Sequence, residues 1–177
     1  YMRDYWLATE SSPTFFRYVD WILTVPLMCV EFYLLTKLAG AKKSLLWKLI
    51  LASTWMLVCG YIGEAFSDGT TGHSVTWGVL STIGYLYIAY TVWFGEVAQL
   101  AEKSNSDAIK KGVKYLAWFV LVGWSIYPIG YMCMEGGWLS SFMAPESVDV
   151  WYNIADAINK IGFGLVVYTL AVNSSEK

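Results

Sequence analysis

The chain has 177 residues, of which 56% are hydrophobic, 18% aromatic and only 15% charged. Because soluble domains average about 25% charged residues, this composition favours a membrane protein. The net charge of −2 argues against a strongly basic surface, so no nucleic-acid partner is expected. The three cysteines lie in apolar stretches without metal-ligand spacing, and we interpret them as buried thiols rather than as a metal site.

Five apolar runs follow one another along the chain, and each is long enough for a helix that crosses a hydrocarbon core of about 30 Å. The breaks between them are rich in Gly, Ser, Asn and Asp, which are typical of turns. A soluble protein can hold one such helix in its core, but five in succession predict a single all-α transmembrane helix bundle. The predicted helices cover residues 15–38, 45–66, 74–100, 109–134 and 148–172.

Basic residues are concentrated in and beside alternate breaks, the first and the third. The second and fourth breaks contain acidic residues and no Lys or Arg. The positive-inside rule therefore places the first and third breaks in the cytoplasm, with the N-terminal side of the chain outside and its C-terminus cytoplasmic. The residues that carry this signal are Lys37, Lys42, Lys43, Lys48, Lys103, Lys110, Lys111 and Lys114.

The first predicted helix contains Arg17, Asp20, Thr24 and Glu31 within otherwise apolar sequence. At 100° per residue, Glu31 lies about 20° from Asp20 around the helix, and Thr24 and Arg17 lie within about 60° of it. The four residues thus share one face, which we expect to look into a protein interior or a hydrated cavity. Asp20 lies towards the outside and Glu31 lies about 16 Å along the axis towards the cytoplasm.

The last predicted helix contains Lys160 near its midpoint, with Asp156 one turn earlier. A charge at that depth costs several kcal/mol unless it is paired or chemically changed, so Lys160 is either part of a structural ion pair or an attachment point. Its nitrogen would lie between Asp20 and Glu31 in depth, as the switchable carrier of a one-way proton path. Desolvation should keep Glu31 protonated as a donor, whereas the nearby Arg17 favours an ionised Asp20 as acceptor.

The fourth predicted helix contains Trp124, Tyr127 and Pro128. Pro128 removes a backbone hydrogen bond one turn earlier and favours a kink, which transmembrane helices tolerate. Together with Trp21, the aromatic residues could form a flat cage around a conjugated ligand. Two structural alternatives stay open: Arg17 and Asp20 could form a buried ion pair, and the polar residues could serve helix packing alone.

Four separated motifs closely resemble the proteorhodopsins, which are retinal-binding, light-driven proton pumps of the microbial rhodopsin family. The motifs are RYVDWILTVPLMCVEFY, GYIGEA, GWSIYPIGY and YNIADAINKIGFG. The resemblance implies that Lys160 carries all-trans retinal as a protonated Schiff base. It also implies that Asp20 is the primary counterion and proton acceptor, that Asp156 is the second counterion, and that Glu31 is the cytoplasmic proton donor.

The same resemblance assigns supporting roles. Arg17 matches the arginine that organises the counterion complex, and Thr24 completes an Asp–Thr–Glu pattern typical of proton pumps. An apolar Met28 resembles green-absorbing members of the family. The residues implied to line the retinal pocket are Trp21, Met28, Met56, Gly60, Trp124, Tyr127 and Pro128.

The implied protein is an outward proton pump in a bacterial inner membrane, with lipid, the transported proton and a homo-oligomer of five or six copies as partners. It is an ion transport protein rather than an enzyme.

The family has seven helices. The first two are therefore expected either upstream of Tyr1, in which case this chain is N-terminally incomplete, or from another source. The main alternative is a photosensory rhodopsin that signals through a partner transducer. A sodium pump would carry a different acid–amide pattern, and a non-photochemical membrane protein would show no colour with retinal.

Overall fold

A computed structural model describes residues 2–134, 136–143 and 145–175, and these residues are helical apart from short connections. Most of the elements are α-helices, and one segment has the wider turns of a π-helix. In chain order they are α1 (Met2–Thr9), α2 (Thr14–Lys37), α3 (Lys43–Ala65), α4 (Thr71–Trp93), α5 (Glu96–Lys103), α6 (Asp107–Trp118), the π-helical segment (Phe119–Gly123), α7 (Ile126–Cys133) and α8 (Pro145–Ser175).

The predicted division into five transmembrane helices is confirmed, and the ends agree to within three residues. Two of the breaks end in a residue whose side chain caps the next helix, Thr70 before α4 and Ser106 before α6. The Thr70 hydroxyl accepts a hydrogen bond from the N–H of His73 (3.3 Å) at the start of α4. Thr70 also donates its backbone N–H and its hydroxyl to the carboxylate of Asp68, which lowers the pKa of Asp68. The helices long and apolar enough to cross a membrane cover Thr14–Lys37, Lys43–Ala65, Thr71–Lys103, Asp107–Cys133 and Ser147–Asn173.

Two of the spans are interrupted, which the apolar pattern does not show. The third span breaks between α4 and α5, where the N–H groups of Phe94 and Gly95 both bond the carbonyl of Tyr90 (2.9 Å each). The fourth span passes through the π-helical segment, which the N–H of Trp124 closes by bonding the carbonyl of Phe119, five residues back (2.9 Å). This irregular backbone precedes Pro128 in the chain, and the kink predicted at that proline stays a prediction.

Large apolar side chains cover the outside of the bundle. Leu23, Leu27 and Leu51 are each more than 60% exposed, although they lie in the middle of helices. Such a surface is expected to contact lipid, where it costs nothing to expose apolar groups. The interior contains aromatic and branched side chains such as Trp21 and Phe163, together with the buried guanidinium of Arg17. The chain is thus a multi-pass membrane protein whose largely apolar interior contains a few buried polar groups.

Candidate functional site

A cavity lies inside the bundle between α2, α3, α4, α7 and α8. It contains about 800 Å³ of empty space, which includes its open mouth. Aromatic rings, methionines and glycines form most of its wall. All eight residues predicted to contact a cofactor line it, and their contact with one stays a prediction: Trp21, Met28, Met56, Gly60, Trp124, Tyr127, Pro128 and Lys160.

The side chain of Lys160 reaches the cavity from α8 and lies between two carboxylates. Its Nζ contacts Oδ2 of Asp20 on α2, and it lies 3.0 Å from Oδ2 of Asp156, one turn earlier on its own helix. The side chains of Lys160 and Asp20 are 28% and 36% exposed, so neither is fully buried. The structure therefore brings together the amine and both carboxylates that the sequence singles out.

The carboxylate of Asp156 is also bonded by two aromatic side chains. The indole N–H of Trp21 lies 3.0 Å from Oδ2 and 3.2 Å from Oδ1. The hydroxyl of Tyr127 donates to Oδ1 at 2.5 Å. Because these donors come from α2 and α7, they fix the carboxylate against α8 in one orientation and tie three helices together at the site.

The guanidinium of Arg17 lies near the N-terminal end of α2, and it does not pair with Asp20. Its nitrogens bond the carboxylates of Glu64, near the end of α3, and Asp149, near the start of α8. Within the described residues no ion pair joins Arg17 to Asp20, so the alternative of a buried pair between them is wrong. The reason is geometric: helical side chains lean towards the N-terminus of their helix, and both acids lie at that end of α2.

Two further interactions hold Arg17 in place. Its hydrogen bonds extend to the hydroxyls of Ser12 (2.9 Å) and Thr14 (3.3 Å). The guanidinium carbon also lies 4.9 Å from the ring centre of Tyr152, within the range of a cation–π contact. The sequence motifs alone did not single out Glu64 or Asp149 as members of this cluster of charges.

Thr24 and Glu31 lie further towards the predicted cytoplasmic side. The Thr24 hydroxyl donates to the backbone carbonyl of Asp20 (3.0 Å). The side chain of Glu31 is half-buried, and its Oε2 is buried without a hydrogen-bond partner among the residues that the structure describes. Neither residue belongs to the described lining of the cavity. Of the four polar residues of this helix, Arg17 belongs to the buried face, whereas Asp20, Thr24 and Glu31 are only partly buried.

Several lining residues were not predicted. Four tyrosines and an asparagine among them place polar groups on the wall. Asn159 precedes Lys160 and Tyr18 follows Arg17, and this adjacency is the sequence signal that could have drawn attention to them. The residues not predicted are Tyr18, Val25, Leu57, Gly78, Ser81, Thr82, Tyr85, Tyr131, Tyr152 and Asn159.

Comparison with known proteins identifies the family of this chain. A family model described as bacteriorhodopsin-like protein matches residues 2–174. The green-light absorbing proteorhodopsin of Gamma-proteobacterium EBAC31A08 is 38% identical over 181 residues, which cover 99% of this chain and 68% of that protein.

Solved structures are similar over nearly the whole chain. Exiguobacterium sibiricum rhodopsin superposes with a TM-score of 0.80 at 32% identity, over 97% of this chain and 76% of that one. Xanthorhodopsin, titled a light-driven ion pump with dual chromophore, superposes with a TM-score of 0.73 at 33% identity, over 90% of this chain and 63% of that one.

Proposed function

Because the chain belongs to the bacteriorhodopsin-like family, we propose that it is a light-driven outward proton pump whose retinal is bound to Lys160. The recognition from sequence motifs and the all-α membrane fold are confirmed by the same matches. The single observation that carries the proposal is the amine of Lys160, which lies between the carboxylates of Asp20 and Asp156 beside an aromatic cavity.

The residues of the cavity fit retinal. Lys160 supplies a primary amine, the two carboxylates balance a positive charge retained on its nitrogen, and the aromatic walls suit a flat conjugated chain. When bound as a protonated Schiff base, all-trans retinal would supply light absorption and a light-driven change of shape. Trp21, Trp124 and Tyr127 would then orient it, and Met28 would contact it from α2.

The proposed proton path uses groups on both sides of the Lys160 nitrogen. Asp20 is the acceptor, since it contacts the nitrogen directly and lies on the outer side. Glu31 is the donor from the cytoplasmic side, and its unpartnered buried Oε2 favours a carboxyl group that holds a proton until one is needed. Thr24 supports the helical turn of Asp20 through its hydrogen bond to that residue's carbonyl.

Asp156 and Arg17 have positioning roles in this scheme. Asp156 is the second counterion, and its bonds from Trp21 and Tyr127 hold it in place when the nitrogen changes its charge. Arg17 holds two further carboxylates at the outer end and thereby closes the path between Asp20 and the medium with a charged cluster.

The setting of the pump is proposed along with it. We infer a bacterial inner membrane with the N-terminal side outside, in agreement with the distribution of lysines. A homo-oligomer of five or six copies, and a pair of further helices outside this chain, stay predictions from the family resemblance.

The test is a measurement of light-induced pH change in cells that express the full-length protein with all-trans retinal. We expect reversible acidification of the medium, which an uncoupler and Lys160→Ala abolish. Glu31→Gln should slow turnover by roughly 10²-fold or more, as expected when a positioned proton donor is removed. Glu102→Gln, at an exposed position on α5, is the matched control and should pump normally.

The other outcomes distinguish the alternatives. Colour without acidification would favour a photosensory rhodopsin that acts through a transducer. An absence of colour in the wild type with retinal would overturn the assignment and leave Lys160 as a structural ion-pair partner.

A further inference from the structure

The π-helical segment leaves backbone carbonyls that side chains satisfy. Four consecutive carbonyls, those of residues 120–123, each accept a hydrogen bond from a side chain. In a regular α-helix these groups bond backbone N–H groups four residues ahead, and the extra residue of a π turn disturbs that match. Buried carbonyls without partners are costly inside a membrane, so the segment depends on its side-chain donors.

Two of the donors come from other helices. The hydroxyl of Tyr85, on α4, lies 2.9 Å from the carbonyl of Leu121 and 3.2 Å from that of Val120. The amide of Asn159, on α8, donates to the carbonyl of Gly123 (3.0 Å). Both side chains are buried, at 7% and 3% exposure, so water has little access to replace them. The segment is therefore held from two sides by fixed groups.

The fit around Asn159 leaves no spare room. A Cβ on Gly123 would lie 1.9 Å from Oδ1 of Asn159, so only glycine permits this approach. The Asn159 amide is also 3.4 Å from the hydroxyl of Tyr127, which in turn donates to Asp156. Asn159 immediately precedes Lys160 in α8, so the helix that carries the reactive amine is bonded directly to the segment.

The segment leads into the wall of the cavity. Trp124, whose N–H closes the π turn, and Tyr127, one turn later, both line the cavity. A shift of the segment would displace these two rings relative to Lys160. The two donors, which also line the cavity themselves, thus bear on the position of the wall.

We propose that Tyr85 and Asn159 are positioning residues that hold the π-helical segment in one register and return the cavity wall to its place after each light-driven displacement. The proposal rests on the proposed function. It assigns to the two residues the recovery of the starting conformation, whereas proton transfer belongs to Asp20 and Glu31.

The experiment compares the full-length wild type with Tyr85→Phe and Asn159→Leu, each of which removes the donor and keeps a side chain of similar size. Trp93→Phe is the matched control, because the Trp93 indole also donates from α4 to a carbonyl of the fourth span (Ala117, 3.0 Å), but to one that precedes the π-helical segment. Two readouts are measured: amide hydrogen exchange of the peptide covering residues 119–127 in retinal-free protein kept in the dark, and the rate at which the absorption of retinal-loaded protein recovers after a flash.

In Tyr85→Phe we expect roughly fivefold faster amide exchange and roughly fivefold slower recovery of absorption, because one hydrogen bond is lost. In Asn159→Leu we expect both rates to change in the same direction. Trp93→Phe should change neither. Equal effects in Trp93→Phe would overturn the proposal, and so would faster exchange with an unchanged recovery rate in Tyr85→Phe and Asn159→Leu. Either result would mean that the hydrogen bonds only stabilise the fold. Unchanged exchange in Tyr85→Phe would overturn it as well.

The two proposals fail in different ways. A wild type that gains no colour with retinal refutes the proposed function, and the positioning role with it. A coloured, pumping wild type whose Tyr85→Phe variant recovers normally refutes the positioning role alone.

Discussion

At the scale of single residues, Asp156 receives hydrogen bonds from side chains on α2, α7 and α8, and so it is the most heavily bonded carboxylate of the cavity described above. Asp20 contacts the same amine with fewer fixed neighbours and is more exposed, at 36% against 21%. The two carboxylates are therefore not equivalent. The firmly held one suits a permanent counterion, and the freer one suits a group that takes up and releases a proton.

Tyr127→Phe should show how much the hydrogen bond from Tyr127 to Asp156 contributes to stability. The substitution removes a hydroxyl that donates to a carboxylate at 2.5 Å, and a hydrogen bond to a charged group contributes about 1.5–3 kcal/mol. We expect the free energy of unfolding of the retinal-free protein to fall by about this amount in a denaturation series in detergent.

Tyr152→Phe provides the control for that measurement. The Tyr152 hydroxyl also donates to an oxygen inside the bundle, but to the neutral backbone carbonyl of Tyr127 (2.9 Å). Its loss should cost only about 0.5–1.5 kcal/mol. An equal loss in both variants would mean that the charge of Asp156 contributes little to its hydrogen bond with Tyr127.

For Arg17, the sequence predicts the burial of the side chain but not its ion-pair partners. Its position one turn before Asp20 correctly gives its face of α2 and its burial. Its partners depend on which acids the ends of α3 and α8 bring to the outer surface, and the chain separates them from Arg17 by 47 and 132 residues. A long side chain reaches several such positions, so spacing within one helix cannot choose between them.

At the scale of helices, α3 and α4 approach closely at Gly84. A Cβ at this position would lie 2.8 Å from the backbone carbonyl oxygen of Ala52 and 2.9 Å from Cβ of Met56. Backbone atoms cannot move aside as a flexible side chain can. The glycine is therefore required for the helix contact, as is common where transmembrane helices pack through small residues.

Gly84→Ala is expected to separate the two helices and lower the free energy of unfolding by about 1–3 kcal/mol, the usual cost of overpacking. Gly164→Ala is the matched control, since nothing lies within 4 Å of a Cβ added there. Because alanine favours a helix over glycine by about 1 kcal/mol, Gly164→Ala should be neutral or stabilising. Thermal unfolding of both variants in one detergent makes the comparison, and equal destabilisation would contradict the close approach.

The ends of the helices were predictable from sequence, and their interruptions were not. Span ends depend on local signals, namely apolar runs, lysines and capping residues such as Thr70. The π-helical segment depends on Tyr85 and Asn159, which lie on other helices and donate to its carbonyls. No property of residues 119–123 themselves distinguishes them from an ordinary apolar helix.

At the scale of the whole molecule, large apolar side chains cover the outside of the bundle as well as most of its interior, whereas a soluble protein presents mostly charged and polar side chains to water. This arrangement explains why composition alone predicted the class, and why four short motifs were enough to identify the family. The depth order of Asp20, Lys160 and Glu31 follows from helix geometry alone. The direction of transport depends on which face of the membrane the bundle presents to the cytoplasm.

The lysine distribution predicts that direction, and cysteine labelling tests it. Ser67→Cys lies in the acidic second break and Asn105→Cys in the lysine-flanked third break, and both positions are exposed. The native Cys29, Cys59 and Cys133 are buried and should not react. With a membrane-impermeant maleimide on intact cells, we expect Ser67→Cys to be labelled at once and Asn105→Cys only after lysis. The opposite result would place Glu31 nearer the outside and Asp20 nearer the cytoplasm. An inward pump would then follow from the same set of residues, because acceptor and donor would exchange sides while their chemistry stayed the same.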